Sequence, residues 1–289
     1  MEFEEGSSDG EDRNNTLGTH ASTTQAISLD ITPEEEASKF QFLRRQFFTA
    51  APVLSRRDVH LGGRTAIVTW ANGGIGLECS RQLLDLGLTK LILAVRDEAK
   101  GEAARQTLTA RGALEPSQTV EAWKLDHAFL RTNYLSTALL VLLLLRVFER
   151  ARSTARQPET SPGRIVVESS DTAAWAKFGE KNQAPLLQAF DDEAKWDTFD
   201  RYATTKLLGQ LFGTELSELV PPSLAIVNCA HPGLCYGSGL ARELGLAVAV
   251  FIRIVGRSAA LGARTLVHAA INSDGSSHGQ YVEDGKLRP

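Results

Sequence analysis

The sequence predicts an α/β fold built on a doubly wound parallel sheet. From residue 64 onwards, short runs of consecutive apolar residues alternate with longer segments of helical periodicity. Strands of a parallel sheet are buried on both faces and joined by helices, so alternation of this kind is typical of them. A chain of 289 residues, 43% hydrophobic and 23% charged, is also long enough to bury one large domain.

The individual elements follow from these runs. The apolar run Ala138–Leu145 ends at Arg146, and it is far shorter than the ~20 residues of a membrane span, so a buried helix is predicted there. The predicted strands are Thr65–Thr69, Leu91–Val95, Thr119–Leu125, Ile165–Val167 and Leu224–Val227, and the predicted helices run from about Gly74 to Leu86, Glu98 to Arg111 and Tyr202 to Leu219.

The N-terminal segment differs in composition from the rest. Residues 1–36 contain ten acidic residues and one base, Arg13, whereas the remainder has 25 acidic residues and 30 bases. We expect a disordered acidic tail over 1–36, or an acidic interaction module, followed by one domain over 37–289.

A helix is predicted to begin near the end of this segment. Thr32 can cap it, with Pro33 at its first position and Glu35 completing a capping box. The helix that follows carries Phe40, Leu43 and Phe47 at helical spacing, interrupted by Arg44 and Arg45. Packing of this face on the domain is expected, with a membrane-surface helix as the alternative.

The three cysteines indicate neither a disulfide framework nor a zinc site. Cys79, Cys229 and Cys235 are odd in number and widely spaced. A reducing compartment and a cytoplasmic location are expected, because the first residues resemble no signal sequence. No metal, nucleic-acid partner or stable membrane span is expected.

Glycines follow the first strand, in the order Asn72-Gly73-Gly74-Ile75-Gly76. Glycines at a strand-to-helix turn let the backbone approach a pyrophosphate, which the helix N-terminus stabilises. Arg96, after the second strand, suits an adenosine 2′-phosphate and favours NADP(H) over NAD(H). Asp126, after the third strand, could hold the adenine end.

A second group of polar residues indicates proton transfer. Tyr202 and Lys206 lie one helical turn apart, and a neighbouring ammonium makes a phenol a usable general acid/base. Ser169 and Ser170 directly follow a strand, where α/β proteins bind their ligands. Asn133 lies early in the apolar helix that precedes this strand.

In this order the residues resemble the short-chain dehydrogenase/reductase family, especially retinol-dehydrogenase-like members of fungal metabolism. The resemblance runs from about Phe42 to Gly285 and implies a single Rossmann-like sheet. The implied catalytic residues are Asn133, Ser170, Tyr202 and Lys206, and the implied cofactor-binding residues are Asn72, Gly74, Ile75, Gly76, Arg96, Asp126, Asn133, Tyr202, Lys206, Pro232 and Gly233.

The resemblance also assigns a role to each catalytic residue. Tyr202 exchanges the proton, while Lys206 supports it and holds the nicotinamide ribose. Ser170 orients the substrate carbonyl, and Asn133 supports a relay water. Pro232 and Gly233 face the nicotinamide.

The chain departs from the family pattern at three places. Trp70 replaces the first glycine of the turn, which puts cofactor affinity in doubt because tryptophan disfavours positive φ. Only six residues separate Asp126 from Asn133, too few for the helix and fourth strand expected there. Gly237, followed by Ser238, stands at the usual threonine after the Pro-Gly loop.

The resulting expectation is an NADP(H)-dependent reductase or dehydrogenase that interconverts a ketone and a secondary alcohol. Its substrate would be a hydrophobic fungal secondary metabolite, such as a polyketide or terpenoid, enclosed by Asp171–Asp200 and Leu244–Val255. A homodimer through the apolar helix and the Tyr202 helix is also expected. The alternative is a degenerate, non-catalytic member of the family or a binding partner of an active paralogue.

Overall fold

The computed structural model describes residues 29–110, 114–125, 131–154, 161–190, 192, 196–238, 246–272 and 274–289. Asp126 lies outside these ranges. The strands are β1 Thr65–Thr69, β2 Lys90–Val95, β3 Thr119–Lys124, β4 Gly163–Glu168, β5 Ala225–His231, β6 Cys235–Tyr236, β7 Arg257–Ser258, β8 Tyr281–Glu283 and β9 Lys286–Arg288. The helices are α1 Pro33–Glu36, α2 Lys39–Phe48, α3 Gly74–Asp85, α4 Glu98–Ala110, α5 Thr137–Thr154, α6 Leu186–Ala189, α7 Thr198–Leu219, α8 Leu246–Val255 and α9 Ala259–Asn272.

The strands form parallel ladders flanked by helices, which confirms the predicted Rossmann-like architecture. One sheet has the order β1-β2-β3 and a second has the order β4-β5-β8-β9. All their pairings are parallel except the terminal hairpin of β8 and β9. The short strands β6 and β7 pair with each other.

Hydrogen bonding between strands stops at β1 and resumes at β4. Within the described ranges, β1 pairs with β2 alone and β4 with β5 alone. This division into two separate ladders agrees with the expectation from the sequence that the fourth strand is missing. Arg64, just before β1, donates from Nη2 to Ser161 Oγ, just before β4, so the break lies between these two strands.

Two hydrophobic cores lie beside the two ladders, and α9 joins them. Helix α3 packs on α9 in the first core, which includes Cys79 and Leu91. The second core brings α5 and α7 onto β4 and β5, and it contains Cys229. Helix α9 packs on α3 beside the first ladder and on β4 and β5 of the second ladder, so this helix contacts both halves.

The N-terminal helices pack on the domain by a different face from the one predicted. Thr32 and Glu35 form the expected capping box of α1, so this helix lies inside the range 1–36. In α2, however, Phe40 and Phe47 are 78% and 56% exposed, whereas Arg45 is 2% exposed. The prediction that the apolar face is buried was wrong, because carboxylates from three other segments surround Arg45.

None of the helices within the described ranges combines the length and the apolar character that crossing a bilayer requires.

Candidate functional site

The turn after β1 begins at Trp70, which adopts a left-handed backbone conformation that normally favours glycine. Trp70 has a φ of 56°, and its N–H donates to Ala94 O at 3.0 Å. A Cβ at Gly76 would lie 2.6 Å from Trp70 O, so only glycine fits there. The N-terminus of α3 consequently lies at the carboxyl end of β1, where it can stabilise an anion.

A second close approach involves the loop after β6. Gly74 has a φ of 55°, and a Cβ there would lie 3.2 Å from Gly237 O and from Ser238 Cα. Ser238 Oγ donates to Cys235 O at 2.8 Å and stabilises this loop. The backbone at residues 237–238 therefore covers the first turn of α3. Ile75 is half-buried against the first core, and Asn72 is exposed.

Arg96 lies at the carboxyl end of β2 with its charge available. Its guanidinium stacks over the Trp70 ring at 4.6 Å from the centroid, and no carboxylate pairs with it among the described residues. Its neighbour Asp97 instead caps α4, because Oδ1 accepts from Lys100 N–H at 3.1 Å. This backbone hydrogen bond lowers the pKa of Asp97.

Helix α7 is attached to the end of β4 by two hydrogen bonds. Lys206 Nζ donates to Glu168 O at 3.1 Å, and Gln210 Nε2 donates to Ser169 Oγ at 2.7 Å. Tyr202, Lys206 and Gln210 are spaced four residues apart and so share one face of the helix. Lys206 Nζ lies 5.7 Å from the Tyr202 ring centroid. The predicted pair is thus brought together beside the serines.

The charge of Lys206 is maintained by its surroundings. Burial lowers the pKa of Lys206, but the charges of Glu168 and Tyr202 more than offset this effect, so the pKa lies above its ordinary value. An ammonium at this place favours negative charge on a nearby oxygen.

Ser170 is buried at the carboxyl end of β4. Its Oγ accepts from Thr172 N–H at 3.3 Å and contacts Thr172 Oγ1 at 3.0 Å. It thereby caps a 3₁₀ turn at Asp171–Trp175. Asn133, the remaining predicted catalytic residue, lies in a π-helical segment at Arg131–Ser136, and its side chain is outside the described part of the structure.

His231 ends β5, and Pro232 and Gly233 follow it beside the same edge. His231 Nδ1 lies 3.4 Å from Ser169 O, and its Nε2 lies 3.5 Å from Asp171 Oδ1. Burial lowers the pKa of His231, but the Asp171 carboxylate more than compensates and raises it. Gly233 has a φ of 78°, and a Cβ there would lie 2.7 Å from Arg257 Nε.

A buried ion network adjoins Ser170 that sequence reasoning missed. Arg45 donates to Asp171 Oδ2 at 2.9 Å, lies 2.9 Å from Glu283 Oε2, and also pairs with Glu36. Tyr281 donates from its hydroxyl to Asp171 Oδ1 at 3.2 Å. Arg45, which interrupts the apolar face of α2, was the feature of the sequence that could have indicated this network.

This network already contains its own cation. Ligand atoms of Asp171, His231 and Glu283 lie within 4.8 Å of one another, but the Arg45 guanidinium is directed at both carboxylates. Burial, together with Asp171, raises the pKa of Glu283 to about 8. The arrangement is therefore a charge cluster that positions the segment after Ser170.

Comparison with curated proteins identifies fungal relatives. The chain is 41% identical over 315 positions to the short-chain dehydrogenase fogG of Aspergillus ruber, which covers 91% of this chain and 88% of fogG. It is 35% identical over 308 positions to the short chain dehydrogenase opdN of Penicillium oxalicum, which covers 88% of this chain and 97% of opdN.

Both matches include more positions than this chain supplies. Because 91% of 289 residues is about 263, about 50 of the 315 positions matched to fogG have no residue here. Likewise, 88% of 289 is about 254, against 308 positions for opdN. About 50 residues are enough for a crossover helix and a strand.

Solved structures share the fold at low identity, while no family model matches the chain. The carbonyl reductase Sniffer of D. melanogaster has a TM-score of 0.54 at 14% identity, covering 76% of this chain and 96% of Sniffer. A putative 2-deoxy-d-gluconate 3-dehydrogenase from Agrobacterium tumefaciens with bound NADP has a TM-score of 0.55 at 15% identity, covering 78% and 96%. Together, the fold and the fungal relatives show that this chain belongs to the short-chain dehydrogenase/reductase family.

Proposed function

We propose that the protein is an NADP(H)-dependent oxidoreductase that interconverts a ketone and a secondary alcohol. The observation that carries this proposal is the attachment of α7 to β4, which brings Tyr202 and Lys206 to the strand end that also bears Ser170. A proton donor, a cation and a hydroxyl beside one another suit the reduction of a carbonyl group.

The residues present fit an anionic dinucleotide. The N-terminus of α3 would hold the pyrophosphate, Arg96 the 2′-phosphate, and Lys206 the nicotinamide ribose. Gly237 and Ser238 would first have to withdraw from Gly74. When bound, the cofactor supplies or accepts the hydride.

The proton is handled by the chain itself. In the reductive direction Tyr202 gives its hydroxyl proton to the substrate oxygen as the carbonyl carbon is reduced, and in the oxidative direction it takes that proton back. Lys206 stabilises the phenolate that remains. Ser170 donates a hydrogen bond to the substrate oxygen, and Asn133 supports the water that returns the proton.

A hydrophobic substrate is proposed from the surfaces near Ser170. Trp175, Gln210 and Tyr281 line a cavity of about 80 Å³ together with Ser170. Helix α8 exposes Phe251 and other apolar side chains. We propose a secondary metabolite of a fungal pathway, such as a polyketide or terpenoid, because these surfaces are apolar and the relatives are fungal dehydrogenases.

Two further parts of the proposal concern the protein's setting. The three cysteines are unpaired and buried, which favours a reducing, cytoplasmic location. Homodimers are proposed through α5 and α7, because both helices expose apolar residues. These residues are Leu139, Leu142, Leu143 and Val147 on α5 and Leu211 and Leu219 on α7.

The second candidate is a non-catalytic family member that binds an active paralogue. The contact of Gly237 and Ser238 with Gly74 favours it, because the loop lies where the pyrophosphate would bind. Titration with NADPH, followed by fluorescence and melting temperature, separates the two candidates. Absence of NADPH binding would support the non-catalytic reading.

We predict that Tyr202→Phe lowers the rate of ketone reduction at least ~10²-fold, because the ring remains but the transferable proton is lost. NADPH binding should change little, since no ring atom is removed. The check is a panel of hydrophobic ketones with NADPH oxidation followed by absorbance. Tyr236→Phe, a change of another tyrosine, is the matched control. Turnover that survives Tyr202→Phe would refute the mechanism.

We predict that Arg96→Ala weakens NADPH binding by ~10–100-fold and leaves NADH binding almost unchanged. A charge-assisted hydrogen bond to a phosphate contributes about 1.5–3 kcal/mol, and NADH has no 2′-phosphate. Calorimetric titration with both cofactors measures the ratio. Equal losses of affinity for NADPH and NADH would mean that Arg96 does not bind the 2′-phosphate.

A further inference from the structure

One edge of β1 has no strand partner among the described residues, and its backbone hydrogen-bonding groups point away from β2. Trp70 N–H donates to Ala94 O of β2, and Arg64 O accepts from Lys90 N–H. The even-numbered residues of β1 therefore direct their backbone groups at β2. The N–H and C=O groups of the alternate residues therefore point away from β2. These residues are Thr65, Ile67 and Thr69.

Strand β4 presents a second such edge. Ser169 N–H donates to Ala230 O at 2.8 Å, so the odd-numbered residues of β4 face β5. Val166 consequently points its N–H and C=O the other way. At the end of this edge, Glu168 O accepts from Lys206 Nζ rather than from a strand.

A side-chain hydrogen bond links the starts of the two edges. Arg64, just before β1, donates from Nη2 to Ser161 Oγ, just before β4, at 2.9 Å. A single arginine side chain thus spans the break, in keeping with the ~9.5 Å that separates two strands flanking a third. Helix α9 packs on α3 of the first half and on β4 of the second, so it joins the two sides of the break.

The gap is also apolar and partly open to solvent. Ala66 and Val68 of β1 and Val166 of β4 pack only partly against their cores, and Ile67 remains 36% exposed. Unpaired apolar edges are sites where another chain adds a strand.

We propose that the gap between β1 and β4 binds one extended apolar segment of a separate polypeptide as a parallel strand of about six residues. Five residues, 126–130, join the described residues Leu125 and Arg131, and a crossover needs a dozen or more. Residues 1–28 are acidic and contain no four consecutive apolar residues, so they do not suit a strand buried on both faces.

The test uses the full chain and a fluorescein-labelled peptide of six valine and isoleucine residues with a lysine at each end. The control peptide has the same sequence with every second backbone nitrogen methylated, which keeps its apolar surface and removes hydrogen-bond donors. Saturable binding of the first peptide, with at least tenfold slower amide exchange at 65–69 and 163–168, is expected. The methylated peptide should produce neither effect.

A variant locates the site independently. Ile67→Pro removes an N–H that faces the gap, while the bonds of β1 to β2 involve the other residues, and an outward-facing proline is tolerated at a sheet edge. It should weaken peptide binding at least tenfold, whereas Ile67→Val should not. Equal binding of the methylated peptide, protection over α5 instead, or no binding would each overturn the proposal. So would concentration-dependent protection of both strands without peptide, which would assign the gap to a second copy.

Discussion

Trp70 is held in a left-handed backbone conformation that a residue with a Cβ adopts at a cost of about 1–2 kcal/mol. Its φ is 56°, and its carbonyl lies against Gly76. The turn therefore keeps its path because the flanking strand and helix fix it, and the strain is located at one residue. The stacking of Arg96 on the indole offsets part of this cost.

We predict that Trp70→Gly is more stable than Trp70→Ala by about 1 kcal/mol. Both variants lose the stacking with Arg96, but alanine keeps a Cβ at positive φ and glycine does not. Urea unfolding of the two variants measures the difference directly. If their midpoints coincide, the turn relaxes in the variants and Trp70 is not a point of strain.

The bounds of helices and strands were predicted closely where a short stretch of sequence determines them. The strand Thr65–Thr69 and the starts of α3 and α4 agree with the structure, because continuous apolar runs and helix-initiating residues act within a few positions. The orientation of α2 was not predictable in this way. Its buried face depends on Asp171 and Glu283, which are more than 120 residues away in sequence.

The candidate site was predictable only in part, for the same reason. The pairing of Tyr202 with Lys206 follows from helical spacing, and the sequence places Ser170 at a strand end. Two other features depend on contacts between residues far apart in sequence, which the periodicity of apolar residues does not indicate. These are the attachment of α7 through Glu168 O and the charge cluster around Arg45.

Arg45 joins helix α2 to the domain through Asp171 and Glu283, and we predict that Arg45→Met destabilises the protein by about 3–5 kcal/mol. The substitution leaves the buried carboxylates of Glu36 and Asp171 without the Arg45 cation, and uncompensated buried charge is costly. Chemical denaturation checks this value. Arg44→Met on the exposed face of the same helix is the matched control and should change stability by less than ~0.5 kcal/mol. Similar small effects of both variants would mean that the cluster contributes little.

At the scale of the whole molecule, stability should depend on pH through the same cluster. The pKa of Glu283 is raised to about 8, so between its ordinary value of 4.5 and 8 the folded state holds a proton that the unfolded chain releases. Stability therefore falls as pH rises through this window. His231 acts in the same direction, because its raised pKa stabilises the protonated folded state at lower pH.

Asp171 has the opposite dependence. Burial alone would raise the pKa of Asp171, but His231 and Arg45 hold it well below its ordinary value. Its stabilising contribution is present above pH 3.8 and is lost as pH falls further. The melting temperature should thus be highest between the two ordinary pKa values, 3.8 for Asp171 and 4.5 for Glu283.

We predict that the melting temperature falls by several degrees between pH 5.5 and pH 8.5, and that Glu283→Gln reduces this slope. Calorimetric scans at intermediate pH values measure it, with Glu149→Gln on exposed α5 as the control. A slope that is the same in all three proteins would show that the cluster keeps one protonation state across this range.

The buried thiols described with the two cores give each half of the molecule its own reporter. Burial raises the pKa of Cys79, and it raises that of Cys229 to about 12, so neither sulfur reacts with an alkylating reagent until its surroundings open. Cys79 belongs to the half built on β1–β3 and Cys229 to the half built on β4 and β5. Matching alkylation rates at the two sulfurs would mean that both halves unfold as one unit, whereas a faster rate at one sulfur would identify the half that opens first.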